Sequence, residues 1–155
     1  MSENSDVVTD CEDDYMIREV RIKDSKAIKD ICTNDLGYQC DEQLVKLRIS
    51  NLEINRECVF VADIEGEVAG FIHVEKYDLL YFQSMANILG LAVSSKYRRQ
   101  GLGEKLMCAA EEWAKSKGIS AIRLNSGGTR KEAHMFYRNM GFSDEKEQLR
   151  FIKEL

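Results

Sequence analysis

The segment SKYRRQGLGEKLM, residues 95–107, combines cationic side chains with a Gly-x-Gly turn. It follows an apolar stretch, residues 85–95, that predicts a strand buried on both faces. It precedes helix-spaced apolar positions over residues 102–117. The N–H groups at a helix N-terminus have no helical partner and the helix dipole favours an anion, while glycines allow close approach to a phosphate. The pattern therefore predicts a phosphate-binding turn between a strand and a helix.

Two other phosphate-binding motifs do not fit this turn. The dinucleotide fingerprint G-x-G-x-x-G requires glycine at position 106, where the chain has Leu106. A Walker A loop requires Gly-Lys followed by Ser or Thr, and this tripeptide does not occur in the sequence. The other interpretation is a plain strand-to-helix turn with solvated arginines. The combination of strand, arginine pair, Gly-x-Gly and long helix favours phosphate binding.

The elements that must position this turn predict an α/β domain. Residues 15–22 alternate like a strand, and residues 57–77 predict a β-hairpin that turns at Glu65-Gly66. Asp24 is a candidate cap for a helix that ends near residue 34. The other predicted elements are a helix over 41–51, the long helix closed by Gly118, a strand over 121–125, a helix over 131–140 and a last strand over 145–155. The order β-α-α-β-β-β-α-β-α-β gives a mixed central sheet with one right-handed βαβ crossover.

Composition narrows the class of protein. The chain has 155 residues, 44% hydrophobic and 32% charged, as expected for one globular domain. Residues 1–14 contain six acidic and no basic side chains and predict a disordered tail, so the domain is expected to cover residues 15–155. The other residues carry 21 acidic and 22 basic side chains. Their one basic cluster, at Lys96, Arg98 and Arg99, suits one small anion and does not predict nucleic-acid binding.

Cysteine and histidine usage predicts no metal site. The five cysteines form no C-x-x-C pair, and the two histidines are far apart in sequence. No apolar run is long enough to span a membrane, and the N-terminus does not resemble a secretory signal. We therefore expect a cytoplasmic protein without a membrane partner.

Two segments of the chain resemble a known family. Residues 98–103, RRQGLG, match the acyl-CoA loop R/Q-x-x-G-x-G/A at each fixed position. Further along, residues 133–142, AHMFYRNMGF, look like the pattern A-x-x-F-Y-x-x-x-G-F. In these two segments, and in their order, the chain resembles the GNAT N-acetyltransferase superfamily. The resemblance extends over most of residues 16–155.

The resemblance implies acetyl-CoA as co-substrate and a GNAT-like sheet, flanked by helices, that bulges and splays at the acyl-CoA site. The backbone of the strand before the loop would pair with the pantetheine arm like an added strand. The loop amides would hold the pyrophosphate with Arg98 at the loop entry, and Asn125 would face the pantetheine or the acyl group. The implied acyl-CoA-binding residues are Leu91, Ala92, Val93, Arg98, Arg99, Gln100, Gly101, Leu102, Gly103 and Asn125.

The resemblance also implies a mechanism. An acceptor amine would attack the thioester carbonyl directly, in a ternary complex, while the backbone N–H of Val93 polarises the carbonyl oxygen. Tyr137 matches a tyrosine near the thioester sulfur and would protonate the departing thiolate as general acid. Without the resemblance, core packing is the favoured interpretation of Tyr137, because it belongs to the apolar stripe of its helix.

Two positions depart from the family's pattern. Many relatives carry an acid on the strand before the phosphate loop, but residues 85–93 contain no Asp or Glu. The candidate bases are therefore His73, Glu75 and His134, and an amine that is already partly neutral needs none. Arg130 replaces an asparagine that is common in relatives, and a solvent-facing side chain is favoured there over a contact with CoA.

The acceptor side is defined by the segment YDLLYFQSM, residues 77–85, and by the first two helices. The apolar cluster Leu79, Leu80, Tyr81 and Phe82 lines an acceptor pocket or, as the favoured alternative, makes a structural or dimer contact. We predict acetyl transfer to the primary amine of a small molecule by a monomer or homodimer. The alternatives are transfer to a protein lysine or N-terminus, and a non-catalytic acyl-CoA-binding regulatory module.

Overall fold

A computed structural model of the chain describes residues 15–155, and the prediction for residues 1–14 lies outside the described residues. Within them, five strands form one sheet in chain order: β1 (Tyr15–Glu19), β2 (Glu57–Ile64), β3 (Glu67–Tyr77), β4 (Met85–Val93) and β5 (Ile122–Leu124). The helices are α1 (Ser25–Asn34), α2 (Glu42–Ser50), α3 (Leu102–Ser116) and α4 (Lys131–Asn139). All strand pairs are antiparallel except β4–β5, which is parallel. The predicted α/β class with a mixed sheet is confirmed.

The chain forms two compact parts, of which one reaches to Leu124 and the other is Asn125–Leu155. The first contains the whole sheet with α1, α2 and α3, and the second contains α4. Among the described residues, no helix has the length and apolarity needed to cross a membrane.

The two faces of the sheet pack against different helices. Ile28 and Ile31 of α1 lie in one buried cluster with Phe71 of β3. Gly70, the residue before Phe71, lies against Leu106 of α3. Because successive strand residues point to opposite faces, α1 and α3 cover opposite faces of the sheet.

The elements with a local signature lie where the sequence predicts them. The hairpin turns at Glu65 and Gly66, whose φ angles of 51° and 88° are left-handed. The cap at the end of α3 also forms as predicted, because Gly118 has a φ of 75° and Ile119 N donates to Ala114 O at 3.0 Å. This 6→1 hydrogen bond after a left-handed glycine is the Schellman arrangement.

The start of the chain differs from the prediction. β1 ends at Glu19 rather than at residue 22, and a single 3₁₀ turn, Ile22–Asp24, leads into α1. Asp24 does not cap α1 through its side chain. Its carboxylate instead accepts two hydrogen bonds from Arg18, at 2.8 and 2.9 Å. Asp24 therefore occupies the predicted N-cap position of α1, but its carboxylate binds a buried arginine of β1 instead of the helix.

The predicted strand over residues 145–155 does not form, so that prediction was wrong. Among the described residues this segment has no strand partner, and its large apolar side chains are exposed: Leu149, Phe151, Ile152 and Leu155. Alternation in a sequence favours an extended backbone. A strand also needs a hydrogen-bonded neighbour, which alternation does not provide.

Candidate functional site

The parallel contact between β4 and β5 covers only the first part of β4. Residues 86–88 pair with residues 122–124, whereas β4 continues to Val93. The register between β3 and β4 also shifts here, because His73 pairs with Gly90 and Val74 pairs with Ile88. The intervening Leu89 forms a bulge and is half exposed. Within residues 15–124, β4 therefore has an unpaired edge beyond Ile88. Successive residues at its start, Ala86, Asn87 and Ile88, are buried as the sequence predicts, whereas Leu89 is not.

The backbone of β4 presents alternate residues to this unpaired edge. Ser94 N donates to Ala69 O of β3 at 2.7 Å. Because hydrogen-bonding groups alternate in direction along an antiparallel strand, the N–H and C=O groups of Leu91 and Val93 point away from β3. The corresponding groups of Ala92 point toward β3. An unpaired edge of this kind can pair with an extended ligand.

The loop from β4 to α3 contains two residues with a left-handed backbone. Arg99 has a φ of 65°, and Gly101, the N-cap of α3, has a φ of 74°. A Cβ at Gly101 would meet no atom within 4 Å, so the backbone conformation rather than crowding favours glycine there. Gln100 is exposed, whereas Leu102 is buried and anchors the first turn of α3. The loop thus places exposed backbone at the N-terminus of a 15-residue helix.

Asp35, which the sequence analysis did not identify, holds one side of the loop. Asp35 Oδ1 accepts a hydrogen bond from Ser95 N at 3.1 Å and lies 3.5 Å from Arg98 Nη2. The Asp35 side chain is 7% exposed, and that of Arg98 is 57% exposed. Asp35 therefore ties the end of α1 to the loop and partly neutralises Arg98. No local signal indicates this contact, because the hydrogen-bonded residues are 60 positions apart in the chain.

Glu67, at the start of β3, holds the other side of the loop. The Tyr97 hydroxyl donates to Glu67 Oε2 at 2.5 Å, and Lys96 Nζ lies 3.4 Å from Oε1. The hydrogen bond from Tyr97 and the charge of Lys96 lower the pKa of Glu67, and the same hydrogen bond raises the pKa of Tyr97. Of the three predicted cations, Arg99 alone makes no ion pair among the described residues.

Tyr137 lies on α4 in the second part of the chain. Its ring is half-buried and meets the rings of Phe136 and Phe142 edge-on, with centroids 5.5 and 5.8 Å apart. Burial raises the pKa of its hydroxyl, although the charge of Arg130 acts in the opposite direction. The phenol is therefore protonated at neutral pH, as a general acid must be. Asn125, at the start of this part, is exposed.

Polar side chains form a row across the α1 face of the sheet. The register pairs Glu57 with Glu75, Glu75 with Asn87, and Asn87 with Arg123. Arg123 Nη1 donates to Asn87 Oδ1 at 2.6 Å. His73, one pair further along β3, has its Nε2 2.7 Å from Glu57 Oε1. His73 and Glu75 are candidates from the sequence, whereas Glu57, Asn87 and Arg123 could not be predicted, because only the strand register brings them together.

The connection between β3 and β4 is an exposed turn that does not continue β3. Leu80, Tyr81 and Phe82 are all exposed, and the rings of Tyr81 and Phe82 lie 5.0 Å apart. Their role at an acceptor pocket or a dimer contact stays a prediction.

Comparison with known proteins identifies the family. Residues 25–142 match the model of the acetyltransferase (GNAT) family. The chain belongs to this family. It is 30% identical over 138 residues to an uncharacterized N-acetyltransferase of Chlorobaculum tepidum, covering 86% of this chain and 79% of that protein. The chain is therefore an acyltransferase, and the resemblance seen in the sequence is confirmed.

Two further relatives extend over almost the whole GNAT chain. It is 26% identical over 160 residues to the aminoalkylphosphonate N-acetyltransferase of Salmonella typhimurium, covering 100% of this chain and 98% of that protein. A solved aminoglycoside acetyltransferase from an uncultured soil metagenomic sample, in complex with sisomicin, has a TM-score of 0.75 at 23% identity. That match covers 92% of this chain and 97% of the other, and it shows a shared fold.

Proposed function

We propose that this GNAT chain moves the acetyl group of acetyl-CoA to the primary amine of a small molecule. The observation that carries the proposal is the unpaired edge of β4, which is followed by the loop, residues 94–101, that ends at the N-terminus of α3. Leu91 and Val93 would pair with the pantetheine arm through their outward-facing backbone groups. Acetyl-CoA supplies the acetyl group as an activated thioester.

The pyrophosphate would bind the loop mainly through backbone amides. Lys96 and Arg98 are already paired with acids, so Arg99 is the cation best placed to add charge. The N–H groups from Arg99 to Gly103 complete the proposed cradle, which includes Gln100 and Leu102. Arg98 at the loop entry, Ala92 and Asn125 remain proposed acyl-CoA contacts.

Two groups of the chain would act on the thioester. The N–H of Val93 points toward the unpaired edge and would donate a hydrogen bond to the carbonyl oxygen as charge develops there. The Tyr137 hydroxyl, protonated at neutral pH, would donate its proton to the departing thiolate. The amine attacks the carbonyl carbon directly, so no acyl group is attached to the protein.

A small-molecule acceptor is supported by the full-length relative from Salmonella typhimurium, which is named for aminoalkylphosphonates. The family match runs from residue 25 to residue 142, across both compact parts, and supports one catalytic domain. Transfer to a protein lysine is the alternative outcome of an acceptor screen.

The donor is tested by thermal unfolding with acetyl-CoA, CoA or NAD. Acetyl-CoA at about 100 times its dissociation constant should stabilise the chain by about 2.7 kcal/mol, while NAD should have no effect. Release of CoA is then followed with 2-aminoethylphosphonate, sisomicin, glucosamine 6-phosphate and a lysine-containing peptide. No stabilisation by acetyl-CoA would refute the proposed donor, and turnover of the peptide alone would replace the proposed acceptor class.

A further inference from the structure

Glu57 of β2 and His73 of β3 form a hydrogen-bonded pair on one face of the sheet. His73 Nε2 lies 2.7 Å from Glu57 Oε1, and the two side chains are 27% and 22% exposed. An ionised carboxylate only accepts hydrogen bonds, so Nε2 carries the proton of the neutral imidazole and Nδ1 keeps a lone pair. The carboxylate also stabilises the imidazolium that forms when Nδ1 takes up a proton, as in a catalytic triad.

This pair lies beside the part of β4 that β5 does not cover. His73 is opposite Gly90, which adjoins the bulge at Leu89. Gly90 has no side chain, and the Phe71 ring of β3 lies against it, since a Cβ at Gly90 would be 3.4 Å from Phe71 Cε2. A ligand paired with the free edge of β4 would lie two strand spacings, about 10 Å, from the backbone of β3, so the acceptor itself or bound water would link it to His73.

The face on which the pair lies is opposite to α3. His73 is two residues from Phe71 along β3, so both point to the α1 face. The proposed pyrophosphate site, at the N-terminus of α3, belongs to the helix on the other face. An acceptor that enters from the α1 face would meet His73 while the donor occupies the edge of β4.

The charged groups around His73 favour a cationic acceptor on its side of the row. Glu57 faces it from β2, and Glu75 follows two residues later on β3. Arg123 of β5 is the basic member of the row. It is held beyond Asn87 by a 2.6 Å hydrogen bond and lies over the ring of Tyr77, 4.6 Å from its centroid. An ammonium group is thus attracted to the end of the row where His73 lies.

We propose that His73, oriented by Glu57, takes the proton from the ammonium group of the acceptor. This inference rests on the proposed function. In this step an N–H bond of the ammonium breaks and an Nδ1–H bond forms, directly or through bound water. The freed lone pair attacks the thioester carbon, and the C–S bond breaks as the thiolate takes a proton from Tyr137. The second proton that the new amide nitrogen loses restores Tyr137. The imidazolium then releases its proton to solvent. Of the other candidate bases, His134 Nε2 lies 2.8 Å from Gly127 O. Glu75 is the remaining alternative, which the kinetic comparison distinguishes from His73.

The tautomer of His73 is tested first, because this measurement needs no acceptor. The chain has only two histidines, so ¹⁵N NMR of the ring nitrogens resolves both, and His73→Gln assigns them. We expect the neutral ring of His73 to carry its proton on Nε2. A proton on Nδ1 would overturn the proposal, because the nitrogen left as base would then face Glu57.

Kinetics test the proton transfer with whichever of the three small amines the chain acetylates. His73→Gln should lower kcat about 10²–10⁴-fold at pH 7, and the deficit should shrink at high pH, where the amine is already neutral. Glu57→Gln should lower kcat by a smaller factor, about tenfold. KM for acetyl-CoA should stay within about twofold in both variants, since neither residue contacts the donor.

Glu75→Gln tests the alternative base and should lower kcat less than His73→Gln does. Glu147→Gln is the control, since it removes a carboxylate at an exposed position outside the row. It should change kcat by less than about twofold. Unchanged kcat in His73→Gln, or an equal loss in Glu75→Gln, overturns the proposal. A variant that acetyl-CoA still stabilises is folded. If His73→Gln fails this check, His73→Asn is used in its place. Failure of the unmodified chain to acetylate any of the three amines would instead refute the proposed acceptor class.

Discussion

Arg18 is buried to 1% exposure, and carboxylates surround its guanidinium group. Asp24, itself 3% exposed, accepts from both terminal nitrogens, and Asp63 Oδ2 accepts from Nε at 2.9 Å. Burial alone would raise the pKa of Asp24, but the hydrogen bonds from Arg18 and from the N–H of Arg21 lower it below its ordinary value. Each charge in this cluster is compensated only while its partners are present.

Removal of Arg18 should therefore be strongly destabilising. Arg18→Met should lower the free energy of unfolding by about 3–5 kcal/mol, because it leaves the buried carboxylate of Asp24 without a countercharge. Urea denaturation at pH 7 measures the change. Arg56→Met, at an exposed position, is the control and should stay within about 0.5 kcal/mol of the unmodified chain. A loss of less than about 1 kcal/mol in Arg18→Met would show that Arg18 and Asp24 do not form this buried ion pair in solution.

Tyr137 allows a second test at the level of one residue. Tyr137→Phe removes the proposed proton donor but keeps the ring against Phe136 and Phe142, so it should lower kcat at least about tenfold without loss of fold. Tyr38→Phe makes the same change at an exposed position and should have no effect. The rate of CoA release with a confirmed acceptor is the measurement. Equal kcat values for Tyr137→Phe and the unmodified chain would leave Tyr137 as a packing residue.

Elements whose signals lie within a few residues could be predicted from the sequence. The hairpin over residues 57–77 and the start of α3 at Leu102 follow from alternation, helix spacing and glycines that adopt a left-handed backbone. The bulge at Leu89 could not be derived from the residues, because it is a property of the register between two strands. Asp35 was missed for a similar reason, since its partner Ser95 lies 60 positions away. The prediction of a strand over residues 145–155 failed for the same reason, because alternation in a sequence does not show whether a neighbouring strand is available for pairing.

The position of β4 against β3 depends on Gly70. A Cβ at this residue would lie 2.8 Å from Ala92 O and 3.2 Å from Val93 Cα. Both are backbone atoms of β4, so they cannot rotate away as a side chain would. Gly70→Ala should therefore displace β4 at its unpaired edge, lower stability by about 1–3 kcal/mol and weaken acetyl-CoA binding.

Urea denaturation and isothermal titration calorimetry with acetyl-CoA measure the two effects of Gly70→Ala. Gly128→Ala is the matched control, because a Cβ there would meet no atom within 4 Å and the residue has no left-handed φ. It should leave both quantities unchanged. Unchanged acetyl-CoA affinity in Gly70→Ala would mean that acetyl-CoA does not bind at this part of β4, contrary to the proposed function.

Unfolding of the whole chain in acid should depend on the cluster at Arg18. The cluster joins β1 to β2 through Asp63, and to the turn before α1 through Asp24. A carboxylate whose pKa is lower in the folded than in the unfolded chain stabilises the fold fully above the unfolded value, about 3.9 for aspartate. This contribution disappears as the pH falls through the folded pKa of Asp24, which is the lower of the two.

We therefore expect a specific pH dependence of the free energy of unfolding. At pH 7, Asp24→Asn should be less stable than the unmodified chain, and the difference should shrink progressively below about pH 4 as the native carboxylate becomes protonated. Urea denaturation between about pH 2 and pH 7 would follow it. Asp144→Asn, at an exposed position with the same chemical change, should run parallel to the unmodified chain. A constant difference for Asp24→Asn across this range would mean that Asp24 titrates alike in the folded and unfolded chains, and that its contact with Arg18 adds no pH-dependent stability.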